Sequence, residues 1–83
     1  MIYVYYLRST NNPDKTYVGF THNLKQRLTE HNNGKSIYTA QWKPWTIVGF
    51  LGFDQESKAR KFETYLKTNA GKIFLHRYFN DQK

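Results

Sequence analysis

The chain has 83 residues, with 13 Lys and Arg against 6 Asp and Glu, a formal charge of +7 and a pI near 9.8. That length supports one domain with a modest core, burying roughly 60% of the unfolded chain's surface, and is too short for two such cores; the charge suits a polyanionic partner far better than an acidic protein surface. The absence of cysteine excludes a disulfide framework and thiolate metal sites and fits a reducing, cytoplasmic setting, while no apolar run approaches the roughly eighteen residues that membrane spanning needs.

With no repeat or low-complexity stretch, residues 1–83 are expected to form a single continuous domain. Residues 2–8 alternate Ile2, Val4, Tyr6 against Tyr3, Tyr5, Leu7, the pattern of a strand with two usable faces. Asn12-Pro13-Asp14-Lys15 supplies turn chemistry, so Thr16 to Phe20 is expected to return as a hairpin partner. Asn23 and Gln26 have capping-box spacing, and Leu24, Leu28 and His31 recur at helical intervals until Asn33-Gly34. Residues 35–45 show no period, and Pro44 disfavours helix at Lys43, which predicts a loop. Thr46 to Phe53 is almost wholly apolar with Gly49 and Gly52 inside, as in a strand covered on both faces or bent by a bulge. Asp54 is placed to cap a second helix with the stripe Ala59, Phe62, Leu66; Asn69-Ala70-Gly71 is expected to break it, and a final short helix carries Phe74, Leu75, Tyr78 and Phe79. The order strand, strand, helix, strand, helix, helix is that of an α+β fold.

The candidate chemistry lies in polar residues on apolar stripes. Arg27 and His31 share the stripe of Leu24 and Leu28, and Glu63 sits one residue after Phe62 and three before Leu66. Taken singly, each has an ordinary structural explanation: a Glu63–Lys67 pair four residues apart, a core-edge arginine, a satisfied buried histidine. Taken together, polar groups on the stripes of different helices are better explained by one cleft in which a carboxylate holds a hard cation and a guanidinium meets a phosphate. If the first two strands pair, Tyr5 and Tyr17 project from one face, and Gly19 leaves room for substrate or backbone. A phenol with a pKa near 10 accepts a proton only where a neighbouring cation lowers the cost of ionising it.

Tyr3-Val4-Tyr5, Tyr17-Val18-Gly19, Asn23-Leu24 with Arg27-Leu28 and Glu30-His31-Asn32, and Glu63 in a late helix form an ordered set. The set resembles the GIY-YIG nuclease superfamily over nearly the whole chain. The likeness is greatest to small stand-alone bacterial members related to the N-terminal nuclease domain of the incision subunit of nucleotide-excision repair, down to Pro44-Trp45 and Leu66-Lys67 before Gly71. It implies a three-stranded antiparallel sheet flanked by three helices. It also implies an endonuclease, acting on DNA more than RNA and serving DNA repair or processing. In it Tyr5 and Tyr17 orient or deprotonate the attacking water, Arg27 stabilises the charge on the scissile phosphate, His31 assists, and Glu63 is the one protein ligand to Mg²⁺ or Mn²⁺. Two departures stand out: Tyr3 replaces the family's glycine, and neither Asn69 nor Asn80 is at a distance that assigns it to the late asparagine of other members. Relatives with known targets usually gain selectivity from an appended DNA-binding domain, so this chain is expected to act on structure, to borrow a protein partner for targeting, or to cut promiscuously.

Lys25 and Lys35 are candidate phosphate contacts, alongside Lys43, Lys58, Arg60, Lys61 and Lys72, each equally at home as a solvated surface cation. Tyr38 or Trp42 could stack on a base or anchor the loop. The competing classes are a non-catalytic nucleic-acid-binding module, with the last two helices as a helix-turn-helix, and a degenerate nuclease serving as a protein-interaction domain. Neither a Gly-rich phosphate loop, an H-E-x-x-H zinc motif nor Ser-His-Asp spacing is present.

Overall fold

The computed structural model describes residues 1–79, and the expectation that one domain runs to residue 83 extends past them, as does Asn80. Strand β1 (Ile2–Ser9) lies at the centre of a three-stranded sheet in the order β2-β1-β3, with β2 (Thr16–Thr21) and β3 (Trp45–Phe53) antiparallel on either side. Its alternation divides the interior in two. Ile2, Val4 and Tyr6 enter one cluster with Ala59, Leu66 and Leu75, whereas Tyr5 and Leu7 enter another with Trp45. A central strand has both faces covered, which is why β1 is apolar throughout rather than on every second residue.

Helix α1 (Leu24–Asn32) covers the Tyr5 face through Leu24 and Leu28. Asn23 caps it by accepting from the Gln26 amide at 3.0 Å, but the Gln26 side chain turns to Glu30 rather than back to Asn23, so only half of the capping box forms. Helices α3 (Glu56–Leu66) and α4 (Asn69–Tyr78) cover the other face, with Ala59, Leu66 and Leu75 in the core and Phe62, Phe74 and Phe79 against it.

Four details depart from the sequence expectations. The segment 35–45 is not all loop: Ile37–Ala40 forms a one-turn helix, α2, held because the Thr39 side chain is buried and hydrogen-bonded. A single turn is too short to show a period. Asp54 does not cap α3; Gln55 occupies that position without a side-chain bond, and the Asp54 carboxylate accepts from Lys58 at 3.1 Å. Asn69-Ala70-Gly71 is not the break but the first turn of α4, whose cap is Thr68, accepting from the Gly71 amide at 3.1 Å. A Cβ on Gly71 would strike the backbone at Tyr65 and Leu66, so this glycine permits the tight crossing of α3 and α4. Finally, β3 is an edge strand with Phe50 and Leu51 exposed, not a strand covered on both faces. The expected bulge is present: Tyr6 pairs with Gly49 and Leu7 with Ile47, leaving Val48 as the extra residue.

Candidate active site

β1 and β2 pair with Tyr5 opposite Gly19 and Leu7 opposite Tyr17, which sets both phenols on the α1 face. Their ring centroids lie 6.2 Å apart. The space above Gly19 is taken by Tyr5: a Cβ there would stand 2.7 Å from the Tyr5 hydroxyl oxygen and 3.0 Å from the Tyr17 ring. Gly19 is buried, and its lack of a side chain admits the Tyr5 phenol.

Behind Tyr5 runs a buried polar chain. The Tyr5 hydroxyl is 2.9 Å from Nε2 of His31, and Nδ1 of His31 is 2.8 Å from Oγ1 of Thr39. Thr39 donates its hydroxyl hydrogen to the Ser36 carbonyl at 3.4 Å, so it accepts from Nδ1–H, which leaves Nε2 to accept from Tyr5. His31 is fully buried, and desolvation, followed by the positive charge of Arg27, holds its pKa below the ordinary value. Burial likewise pushes Tyr5 up to about 12, against the pull of the Arg27 guanidinium. Both directions favour the same state, a neutral phenol donating to a neutral imidazole. The Tyr17 ring packs edge-on against His31, with centroids 4.9 Å apart.

Arg27 reaches this cluster from α1. Its guanidinium is held by Glu30 at 2.9 Å and by the Tyr5 hydroxyl, and these partners raise its pKa further, so it is cationic at any working pH. Glu63 arrives from α3, which packs on β1 and β2, and its negative charge opposes ionisation of Tyr5. The Glu63 side chain is 19% exposed and bonds Lys67 at 2.8 Å, the ordinary i, i+4 pair. Tyr5, Tyr17, Arg27 and His31 are therefore neighbours in one cluster, and Glu63, bonded to Lys67, acts on it through its charge.

Lys25 and Lys35 do not join them. They line an open groove along α1 with Asn23, Gln26, Thr29, Glu30 and Asn33, and Glu30, the partner of Arg27, borders both the groove and the cluster. Trp42 is an anchor: it packs on Leu7 and Trp45, and Lys15 sits over its ring at 4.9 Å. Asn69 is an exposed residue of α4.

Sequence reasoning missed Thr39 and Asn32. Asn32 bridges to the start of β3, its Oδ1 accepting from the Trp45 amide at 2.6 Å and its Nδ2 donating to the Trp45 carbonyl at 3.2 Å. Trp45 in turn donates its indole N–H to the Thr39 carbonyl at 2.8 Å. These bonds fix the turn that supports His31. Their only sequence signal was the polarity of Asn32 beside a buried histidine.

A buried Tyr-His-Thr chain lies under a second tyrosine with an arginine against it. The chain belongs to the GIY-YIG catalytic domain family, which matches residues 1–78. Among individual proteins it is similar to a UPF0213 protein of Cupriavidus necator, 39% identical over 66 residues, covering 78% of this chain and 70% of that one. A UPF0213 protein of Clostridium perfringens is 37% identical over 68 residues, 81% of this chain and 71% of the relative. The structure-specific endonuclease subunit SLX1 homolog of Giardia intestinalis is 37% identical over 59 residues, which are 66% of this chain but 16% of that much longer protein. The domain is thus of a nuclease family, and no helix among the described residues is long and apolar enough to cross a membrane.

Proposed function

We propose that this domain is a metal-dependent endonuclease that hydrolyses phosphodiester bonds of nucleic acid, DNA in preference to RNA, in a repair or processing role in the cytoplasm. The observation that carries the reading is the Tyr5–His31–Thr39 chain: a buried network of three polar side chains is a costly way to build a core, and it holds one phenol in a fixed orientation beside Arg27 and Tyr17. Family membership and the endonuclease relatives support the reaction class, and the charge of +7 supports the substrate.

Glu63 fits a hard divalent ion. It is a half-buried oxygen donor whose charge is felt at Tyr5, and among the described residues no group of three acidic or imidazole side chains gathers into a metal cage. Magnesium or manganese keeps several waters and accepts a single protein carboxylate when substrate phosphate completes its shell. When bound, such an ion would offset charge on the phosphate and the leaving oxygen. The protein's own groups supply the rest. Arg27, always charged, pairs with a non-bridging oxygen and stabilises the charge that grows as water attacks phosphorus and the bond to the leaving oxygen breaks. Tyr5, held near 12 and locked onto His31, orients the water as a neutral phenol. Tyr17, half-buried on the edge strand, would then take the water's proton as a phenolate, its own proton having gone to solvent.

The test compares wild type with Glu63→Gln on a mixed panel of DNA and RNA substrates with Mg²⁺ or Mn²⁺. The proposal requires metal-dependent nicking by wild type and binding without nicking by the variant. Targeting through a protein partner is proposed with it: the chain spans 16% of the Giardia relative, whose printed name makes it a subunit.

A further inference from the structure

Beside the reaction site a groove of about 310 Å³ opens along the edge of the sheet, bounded by Tyr17 and Thr16 of β2, Tyr38 of α2, and Leu66, Lys67 and Lys72 of the α3–α4 turn. Its size is at the lower end of the roughly 300–1,000 Å³ of small-ligand sites. Its walls differ in chemistry. One is aromatic: Tyr38 is 45% exposed on a one-turn helix and lies 6.1 Å from Tyr17 with the ring planes 31° apart. The other carries two cations. Lys67 also holds Glu63 at 2.8 Å, which ties this wall to the carboxylate proposed for the site, and Lys72 forms no ion pair among the described residues.

We infer that this groove is a subsite for one unpaired nucleotide next to the scissile phosphate, its base stacked on Tyr38 and its own phosphate between Lys67 and Lys72. The inference rests on the nuclease reading above and adds to it which substrates fit. A ring 45% exposed, on a turn whose neighbour Thr39 is tied to His31, is an oriented platform rather than core. A base's π-face meets it only if the base has left its duplex, because a paired base has neighbours stacked on both sides. The cations take the phosphate, and Leu66 lines the floor where the sugar would rest. Two walls of opposite chemistry, one flat and apolar and one cationic, match a nucleotide better than an acidic peptide, which brings charge without a ring.

Binding of a labelled oligodeoxythymidine strand and of a blunt duplex of the same length is measured by fluorescence anisotropy on the full chain in EDTA, so that no cutting intervenes. Tyr38→Ala and Lys72→Ala, both at exposed positions, should each weaken the single strand about fivefold or more while changing the duplex less than about twofold, and Tyr38→Phe should keep wild-type affinity for both. Equal losses on the two ligands, or no loss on either, would overturn the subsite. A chain that cuts yet shows equal losses refutes the groove and leaves the nuclease reading standing. One that shows the expected difference yet never cuts refutes the nuclease reading and leaves the groove.

Discussion

The Tyr5 hydroxyl donates to Nε2 of His31 across 2.9 Å in a fully buried contact, so the side chain nearest the proposed chemistry is oriented by an imidazole that water does not reach. The proton on Tyr5 and the lone pair on His31 must both stay where they are for that bond to exist.

The first prediction concerns pH. The folded pKa of His31 lies below its ordinary 6.5, so between those two values the unfolded chain binds a proton that the folded one does not. The stability this neutral histidine confers is complete above about 6.5 and is lost as pH falls toward the folded pKa. The urea midpoint of wild type should therefore drop on acidification below about 6.5, and more steeply than that of His31→Gln, which has no proton to take up. Parallel slopes in the two proteins would show that His31 is not buried neutral.

Gly19→Ala is predicted to act through Tyr5. The added methyl would stand 2.7 Å from the hydroxyl oxygen, too close for both to remain, and the phenol is not free to swing because His31 holds it. Activity should fall at least tenfold with a stability loss of about 1–3 kcal/mol. In the double variant with Tyr5→Phe the combined stability loss should be smaller than the sum of the two single losses, because the nearest clashing atom, the oxygen, is gone and only the ring carbon at 2.9 Å remains of Tyr5's two close contacts. Additive losses measured by chemical denaturation would place the clash elsewhere.

Gly71→Ala should be the most damaging conservative change in the chain. Its methyl would meet backbone of Tyr65 and Leu66, which has no rotamer to yield, so α4 must separate from α3 at a cost of about 3 kcal/mol or more. Gly52→Ala meets the Met1 side chain, an unbranched chain at the terminus, and should cost under about 1 kcal/mol. Thermal melts of the two variants side by side check the order.

Asn32→Ala should destabilise by about 1–3 kcal/mol, since both halves of its amide serve the Trp45 backbone and a part-buried N–H would be left without its acceptor. Asn32→Asp retains one acceptor and should lie between wild type and the alanine variant. Equal melting temperatures for all three would mean that water replaces the amide there.

Much of this was legible in the residues, for reasons that separate the elements. β1 announced two faces because Ile2, Val4, Tyr6 and Tyr5, Leu7 alternate, and the clusters divide along that line. Period also gave Ala59, Phe62 and Leu66 of α3. What it could not give were single-turn or non-local features. The Thr39 hydroxyl meets His31 eight positions earlier in the chain, a contact no periodicity encodes. Gly71 was read as a breaker from composition alone, whereas its lack of a side chain serves packing inside a helix. Lys25 and Lys35 were chosen by charge, and charge carries no direction; they line the groove along α1 that Glu30 borders, while Lys67 and Lys72 line the groove that Tyr17 borders.

The most direct test of the whole account is Glu63. Its side chain touches solvent and one exposed lysine, so Glu63→Gln should change stability by less than about 1 kcal/mol. With Mn²⁺ or Mg²⁺ present, the account predicts product from wild type and a loss of at least a hundredfold in the variant, with nucleic-acid affinity in EDTA retained. A variant that still folds and still cuts at the wild-type rate would contradict it.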